Sequence, residues 1–179
     1  ANTSTKPSPT TAEHVFHDLK GKIAGIIDNG PTEIGLESTI VDLSVEKPTV
    51  LRPGEITPEE ISAVLGEEVL MNRGTTQTKG VPKAPGMKYR HYAPSAPVLI
   101  VDKEEDFSKI QWDDETGVAA LDEVLEKIDS PNKYSLGKTI DKAAHNLFGA
   151  LRYFDDENKI KRIYVQGFDH GAISAAYMN

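Results

Sequence analysis

The chain contains no cysteine among its 179 residues, which excludes disulfides, thiolate nucleophiles and cysteine-ligated zinc as its chemistry. It also lacks an apolar run near the roughly 20 residues that span a bilayer, and it shows no secretory signal. These absences predict a soluble, cytoplasmic protein. Basic residues are the minority, 20 against 28 acidic ones, so the formal net charge is -8. A broad nucleic-acid-binding surface needs a basic face, and this balance argues against one.

Several chemical signatures are missing as well. The sequence has no glycine-rich phosphate loop with its lysine and no dinucleotide-binding fingerprint. His14 and His17 lie three residues apart on a polar flank, and we interpret them as surface residues, so no metal ligand is predicted. The length suffices for one medium domain or two small ones.

The first 68 residues show the periodic patterns of an α/β unit. Thr10 and Glu13 form a capping-box pair, which predicts a helix that ends at Gly21. A second capping box, Thr57 with Glu60, predicts a short helix after a proline-containing first turn. Between the two helices, apolar and β-branched runs predict three strands, at residues 22–30, 38–44 and 49–54.

Residues 69–101 differ in charge from the rest of the chain. They include five basic residues and no acidic one, so they carry +5 in a chain of -8. Four prolines keep the segment extended, and its stretch "APGMKYRHYAP" alternates cations with tyrosines. A long irregular segment inside a compact protein is usually functional or disordered. The aromatic residues and paired prolines favour function, so we predict an ordered basic linker over 69–96.

The remaining residues predict a second α/β unit with a small parallel sheet. The run at 139–156 carries an apolar stripe at helical spacing, and a last helix begins near residue 171. Alternation of short buried strands with helices is typical of an open parallel sheet. The strands are predicted at residues 97–101, 117–121 and 162–168.

Polar residues at two predicted strand ends are candidates for ligand binding. Arg52 precedes a Pro-Gly turn, where a guanidinium can grip a phosphate or carboxylate with two hydrogen bonds; a plain surface arginine is the alternative. Ser38 and Thr39 begin a strand after a glycine-containing loop. Their hydroxyls can hold a small polar ligand, although capping of a turn is the simpler explanation.

Two further stretches point to an anion. Helix N-termini attract anions, and polar side chains crowd before the first helix: Asn2, Ser4, Ser8 and Thr10. The linker can close over a polyphosphate with cations spaced by tyrosines: Lys88, Arg90 and His91. Capping and a solvated basic spacer are the respective alternatives. Together the four stretches indicate binding of an anion and a small polar ligand by the first unit and the linker.

These stretches, in this order, resemble the long, two-domain threonylcarbamoyl-AMP synthases. The resemblance rests on "SPTTA", "ESTIVD", "LRPGEIT" and "APGMKYRHYAP" and covers essentially the whole chain. "KYRHYAP" is its most specific part, because the single-domain relatives lack it. The resemblance implies the C-terminal part of a YrdC-type twisted α/β catalytic domain at 1–68, a linker or lid at 69–96, and a Rossmann-like domain at 97–179.

The resemblance also implies an activity. Members of the family are nucleotidyltransferases that make threonylcarbamoyl-adenylate from L-threonine, bicarbonate and ATP, with Mg²⁺ accompanying the ATP. The product passes to the tRNA-modifying transferase machinery, which makes threonylcarbamoyladenosine next to the anticodon. Such chemistry needs positioning and charge neutralisation rather than a covalent intermediate, so we expect no nucleophilic catalytic residue.

Site residues follow from the resemblance, motif by motif. It assigns contacts with ATP to Asn2, Ser8, Thr10, Arg52 and His91. It assigns contact with threonine to Ser38 and closure of a lid over the cavity to Lys88, Tyr89 and Arg90.

The resemblance has one large departure. The catalytic domain of the family begins well before the Ser-Ala-Asn motif, whereas this sequence begins at the alanine of that motif. We therefore expect a fragment that has little or no synthase activity by itself and dimerises through exposed sheet edges. A non-catalytic RNA-binding or regulatory module is the alternative. A related carbamoyltransferase is disfavoured by the linker and the second domain.

Overall fold

The computed structural model describes residues 6–72, 93–157, 159–169 and 173–178. We call residues 6–72 the N-terminal part and the other described residues the C-terminal part. Each part contains its own sheet, of three and four strands respectively, which confirms the predicted α/β class. Most of the predicted linker lies outside the described residues, and the predicted domain boundaries stay a prediction.

The N-terminal part contains two short helices and a three-stranded sheet. Strand β1 runs antiparallel to β2, and β2 runs parallel to β3. The predicted capping box at Thr57 is confirmed: its hydroxyl accepts a hydrogen bond from the Glu60 amide, and the Glu60 carboxylate accepts one from the Thr57 amide. The elements are α1 (Ala12–Leu19), β1 (Ile40–Asp42), β2 (Thr49–Arg52), α2 (Pro58–Leu65) and β3 (Leu70–Met71).

Two predictions for the N-terminal part are wrong. Residues 22–30 form no strand, because none of the described strands pairs with them, and Ile27 is 99% exposed. Apolar residues favour a strand, but only a ladder with a neighbour makes one. The N-cap of α1 is Thr11 rather than Thr10, since Thr11 has extended backbone and accepts from the His14 amide at 3.2 Å. Strand β3 lies inside the predicted linker.

The C-terminal part is the predicted parallel sheet. All of its strands run parallel, in the order β4-β7-β5-β6. Strand β6 was not predicted, because its sequence Lys-Tyr-Ser is polar and it lies at the edge of the sheet. The elements are β4 (Val98–Val101), a 3-10 helix (Glu104–Lys109), β5 (Thr116–Ala120), α3 (Asp122–Leu125), β6 (Lys133–Ser135), α4 (Ile140–Asp156), β7 (Arg162–Gln166) and α5 (Ser174–Tyr177).

The four-stranded sheet has a hydrophobic core on each face. One core packs α4 against the sheet and includes Phe154, and the other includes Phe107 and Val118. Gly117 in β5 lets the ring of Phe154 approach, because a Cβ at that position would lie 2.8 Å from two ring carbons. Within the ranges that the structure describes, no helix is both long and apolar enough to cross a membrane.

The two parts meet along α4. Gly35 of the N-terminal part lies so close to this helix that a Cβ there would be 2.3 Å from the carbonyl oxygen of His145. The Nδ1 atom of His145 lies 2.7 Å from the carbonyl oxygen of Glu33. Helix α4 therefore packs on the sheet of the C-terminal part and also contacts the N-terminal part.

Candidate functional site

A buried arginine fork lies at the end of β2. In the ladder between β1 and β2, Ile40 is opposite Arg52, so the residues that precede β1 reach the guanidinium. Arg52 is only 8% exposed. Its Nε donates to the carbonyl oxygen of Ser38 at 3.0 Å, and its Nη2 donates to the Ser38 hydroxyl at 3.1 Å. The two bonds fix the plane and direction of the guanidinium.

Glu37 connects this arginine to the N-terminal segment. Its Oε2 lies 3.7 Å from Nη1 of Arg52, and its Oε1 accepts a hydrogen bond from the hydroxyl of Ser8. We call Ser8, Glu37, Ser38 and Arg52 the polar cluster. Glu37 was not predicted as a site residue. A buried guanidinium requires an anionic or hydrogen-bonding partner, and the position of Glu37 next to Ser38 is the signal that could have identified it.

The Pro-Gly turn after Arg52 brings two backbone segments into close contact. A Cβ on Gly54 would lie 2.3 Å from the amide nitrogen of Thr39 and 2.7 Å from the carbonyl oxygen of Glu37. Only glycine permits this approach of backbone to backbone. The hydroxyl of Thr39 donates to the carbonyl oxygen of Ile56 at 2.8 Å, so Thr39 ties β1 to the loop after Gly54. The turn therefore holds the polar cluster in register.

Two grooves open beside Glu37. One has a volume of about 420 Å³ and is lined by Ser38 and Thr39 with the apolar side chains of Ile34, Val41 and Ile56, among others. The other, of about 210 Å³, is mainly apolar and lies between Glu37 and the β4, β7 and α4 elements of the C-terminal part. Among the described residues, neither groove is lined by a lysine or an arginine, and the charged side chains that line the larger one are Glu37 and Glu55. The polar cluster thus adjoins space that can admit a small ligand.

The hydrogen-bond partners of Thr10 are Thr32 and His14 rather than members of the polar cluster. Thr10 is buried, its carbonyl oxygen accepts from the Thr32 amide at 2.9 Å, and its hydroxyl lies 3.3 Å from Nδ1 of His14. It lines a third groove, of about 460 Å³, between α1 and α4. Burial, followed by the positive charge of Arg152, holds the pKa of the His14 imidazole below its ordinary value.

The structure therefore brings together three of the predicted site residues, Ser8, Ser38 and Arg52, and adds Glu37. Asn2, Lys88, Tyr89, Arg90 and His91 lie outside the described residues. The roles of all these residues toward ATP and threonine stay predictions. In the part of the chain that the structure describes, no three histidine, aspartate or glutamate side chains form a group that could hold a metal ion.

The fold and the polar cluster together define an α/β protein with an arginine-centred polar site next to a parallel-sheet unit. Residues 56–179 match the family described as "Threonylcarbamoyl-AMP synthase, C-terminal domain". Residues 1–54 match a second family, described as "Telomere recombination". The chain belongs to the threonylcarbamoyl-AMP synthase C-terminal-domain family, which confirms the resemblance.

Relatives match over the whole chain. It is 41% identical over 187 aligned residues to the threonylcarbamoyl-AMP synthases of Pyrococcus abyssi (strain GE5 / Orsay) and Bacillus subtilis (strain 168). Each alignment covers 100% of this chain and 54% of the relative, so the chain spans about half the length of the curated relatives it matches. A crystal structure of P. abyssi Sua5 complexed with L-threonine is similar, with a TM-score of 0.80 and 36% identity over 99% of this chain and 54% of that chain.

Proposed function

We propose that this chain takes part in the synthesis of threonylcarbamoyl-adenylate from L-threonine, bicarbonate and ATP, and that the polar cluster belongs to the site of that reaction. The observation that carries the proposal is the buried Arg52, held by Ser38 and Glu37 beside a small groove. The match of the whole chain to about half the length of relatives named threonylcarbamoyl-AMP synthase supports it.

The hydroxyl of Ser38 suits the carboxylate of threonine. A serine hydroxyl has one donor and two acceptor sites, and the Ser38 oxygen accepts from Arg52. Its own proton can therefore be donated to a carboxylate oxygen of the ligand. The nearby guanidinium polarises the hydroxyl and favours a negative ligand. A relative was crystallised with L-threonine, which supports threonine as the ligand here.

The proposed reaction mainly requires neutralisation of negative charge. The amine of threonine attacks the carbon of bicarbonate, and water leaves. A carbamate oxygen then attacks the α-phosphorus of ATP and displaces pyrophosphate. Negative charge on the phosphate oxygens has to be stabilised throughout, and Arg52 supplies one cation. We propose that Lys88 and Arg90 supply the remaining positive charge. Together with Tyr89 and His91, they are proposed to cover the bound phosphates.

Ser8, Thr10 and Asn2 are proposed to contact the nucleotide. The Mg²⁺ that accompanies ATP is proposed to bind chiefly to the phosphates, because Mg²⁺ usually keeps several waters and uses few protein ligands. The product is proposed to pass, in the cytoplasm, to the tRNA-modifying transferase machinery.

The experiment measures pyrophosphate release from ATP in the presence of L-threonine, bicarbonate and Mg²⁺, together with equilibrium binding of threonine. It uses the 179-residue chain alone and then mixed with the preceding segment of the B. subtilis relative. We expect threonine to bind, binding to weaken about tenfold in Ser38→Ala through loss of one charge-assisted hydrogen bond, and release to require the added segment.

Ser108→Ala is the control for loss of a hydroxyl and should bind threonine as the wild type does, because Ser108 is exposed on the 3-10 helix of the C-terminal part and donates to the carbonyl oxygen of Glu105. Equal threonine affinity in wild type and Ser38→Ala would refute the assignment of Ser38. Salt-dependent binding of RNA with no binding of threonine would favour the non-catalytic RNA-binding alternative instead.

A further inference from the structure

A buried ion pair joins helix α4 to the N-terminal part. The guanidinium of Arg152 donates from Nη1 to Oδ1 of Asp18 at 3.0 Å and from Nη2 to Oδ2 of Asp18 at 2.7 Å. Both side chains are more than nine-tenths buried. This two-bond geometry fixes the guanidinium in both direction and plane.

The same guanidinium holds the segment that carries Ser8. Its Nη2 also donates to the carbonyl oxygen of Pro7, and its Nε donates to the carbonyl oxygen of Ser8 at 3.3 Å. Pro7 is fully buried. Arg152 thus fixes the backbone at residues 7 and 8 from the side of the C-terminal part.

Asp155, one turn further along α4, holds the neighbouring residue. Its Oδ2 lies 2.5 Å from Nζ of Lys6, and its Oδ1 accepts from the amide of Ser95 at 2.6 Å. Two side chains of one helix therefore hold three consecutive residues, 6 to 8, against the C-terminal part.

The held segment leads directly into the polar cluster. The backbone of Ser8 is fixed by Arg152, and its hydroxyl donates to Glu37, which lies 3.7 Å from Arg52. A continuous series of polar contacts therefore joins α4 to the guanidinium at the end of β2. A change in the position of residues 7 and 8 moves the hydroxyl that orients Glu37.

We infer that Arg152 is a positioning residue for the ligand site: it acts through Ser8 and Glu37 and does not itself touch the ligand. The inference rests on the proposed function and gives the C-terminal part a role in it. A displacement of about 1 Å at a site can weaken its function a hundredfold. Replacement of both partners of a purely structural ion pair would leave ligand affinity unchanged, because such a replacement is often neutral for stability.

The test removes the ion pair without leaving an unpaired buried charge. The double variant R152M/D18N replaces both partners, since loss of one alone strongly destabilises a protein. The control is R162M/D113N, which removes a more exposed arginine–aspartate pair of the C-terminal part, with Nη2 and Oδ2 at 2.8 Å, whose two members bond to Thr116. Binding of ATP and of L-threonine, hydrogen exchange over residues 6–11 and the fluorescence of Trp112 are measured for each.

We expect R152M/D18N to weaken the binding of ATP and threonine by about tenfold or more and to speed hydrogen exchange over residues 6–11. The control is expected to leave ligand affinity and hydrogen exchange unchanged. The fluorescence of Trp112, which packs against the core that includes Phe107 and Val118, is expected to report a folded C-terminal part in both variants. Unchanged affinity in R152M/D18N overturns the inference, whether or not exchange changes. If the wild-type chain binds neither ligand, the proposed function fails and the inference fails with it. If the wild-type chain binds both ligands and R152M/D18N binds them equally well, only the inference fails.

Discussion

The N-terminal and C-terminal parts bury their apolar side chains to different degrees. In the C-terminal part, every residue of β5 is buried, and helices cover both faces of the sheet with two hydrophobic clusters. Among the described residues of the N-terminal part, the buried apolar side chains besides prolines are Val50 and Val69. Its exposed large apolar residues include Phe16, Ile27 and Val64.

This difference shows how the site is supported. Burial of apolar surface is the main stabilising contribution in folding, and it is concentrated in the C-terminal part. The polar cluster lies in the N-terminal part, which the C-terminal part holds through Arg152, Asp155 and the contact of Gly35 with α4. The exposed apolar face can also associate with other surfaces, so dimerisation through sheet edges stays a prediction.

The largest expected effect comes from Phe154, which is 1% exposed and packs on β5. Phe154→Ala should lower the free energy of unfolding by about 3–5 kcal/mol, because it removes a buried ring and leaves a cavity. The measurement is urea unfolding followed by the fluorescence of Trp112, the single tryptophan of the chain.

Val64→Ala is the control from the N-terminal part. Val64 is 86% exposed on α2, and the change should alter the free energy of unfolding by no more than about 0.5 kcal/mol. Similar losses in the two variants would contradict the contrast between the two parts.

An intermediate effect is expected at Gly54. Gly54→Ala forces its new methyl group against the backbone of Thr39 and Glu37. It should destabilise the N-terminal part by about 1–3 kcal/mol and weaken the binding of threonine. The measurement is hydrogen exchange over residues 37–54 together with threonine affinity.

Gly25→Ala is the matched control, because a Cβ at Gly25 would meet nothing within 4 Å. It should leave both measurements unchanged. If Gly54→Ala binds threonine as tightly as Gly25→Ala does, the tight turn is not needed for the polar cluster.

The smallest expected effect is the pH dependence due to His14. Burial and then Arg152 lower its pKa, although Glu13, Asp156 and Asp18 act in the opposite direction. The unfolded chain, with the ordinary imidazole pKa of 6.5, therefore binds a proton more readily than the folded one. Stability contributed by neutral His14 is complete above that value and is lost as the pH falls toward the lowered pKa. His14→Gln should reduce the loss of stability between about pH 8 and about pH 5.5.

The measurement is urea unfolding at the two pH values. His17→Gln on the same helix is the control, because the side chain of His17 is 70% exposed. A pH dependence that persists in His14→Gln and disappears in His17→Gln would assign the titration to His17 and contradict the prediction.

Elements with strong local signals could be predicted from the sequence. The capping box at Thr57 predicted α2, and the apolar stripe at 139–156 predicted α4, whose N-cap Thr139 accepts from the Lys142 amide. Residues 22–30 and strand β6 could not be predicted, because strand formation depends on which neighbour supplies the ladder. The same local patterns marked Arg52 and Ser38 as site residues.

The sequence by itself therefore determined the α/β class, the two ends of α2 and the family, because capping, periodicity and motif spacing are local properties. Only the tertiary structure decided that Glu37 joins Ser8 to Arg52 and that Arg152 holds residues 7 and 8. The contact between Arg152 and Ser8 spans 144 residues of chain. Such a contact exists only after both sheets have formed and packed, and no local pattern encodes it.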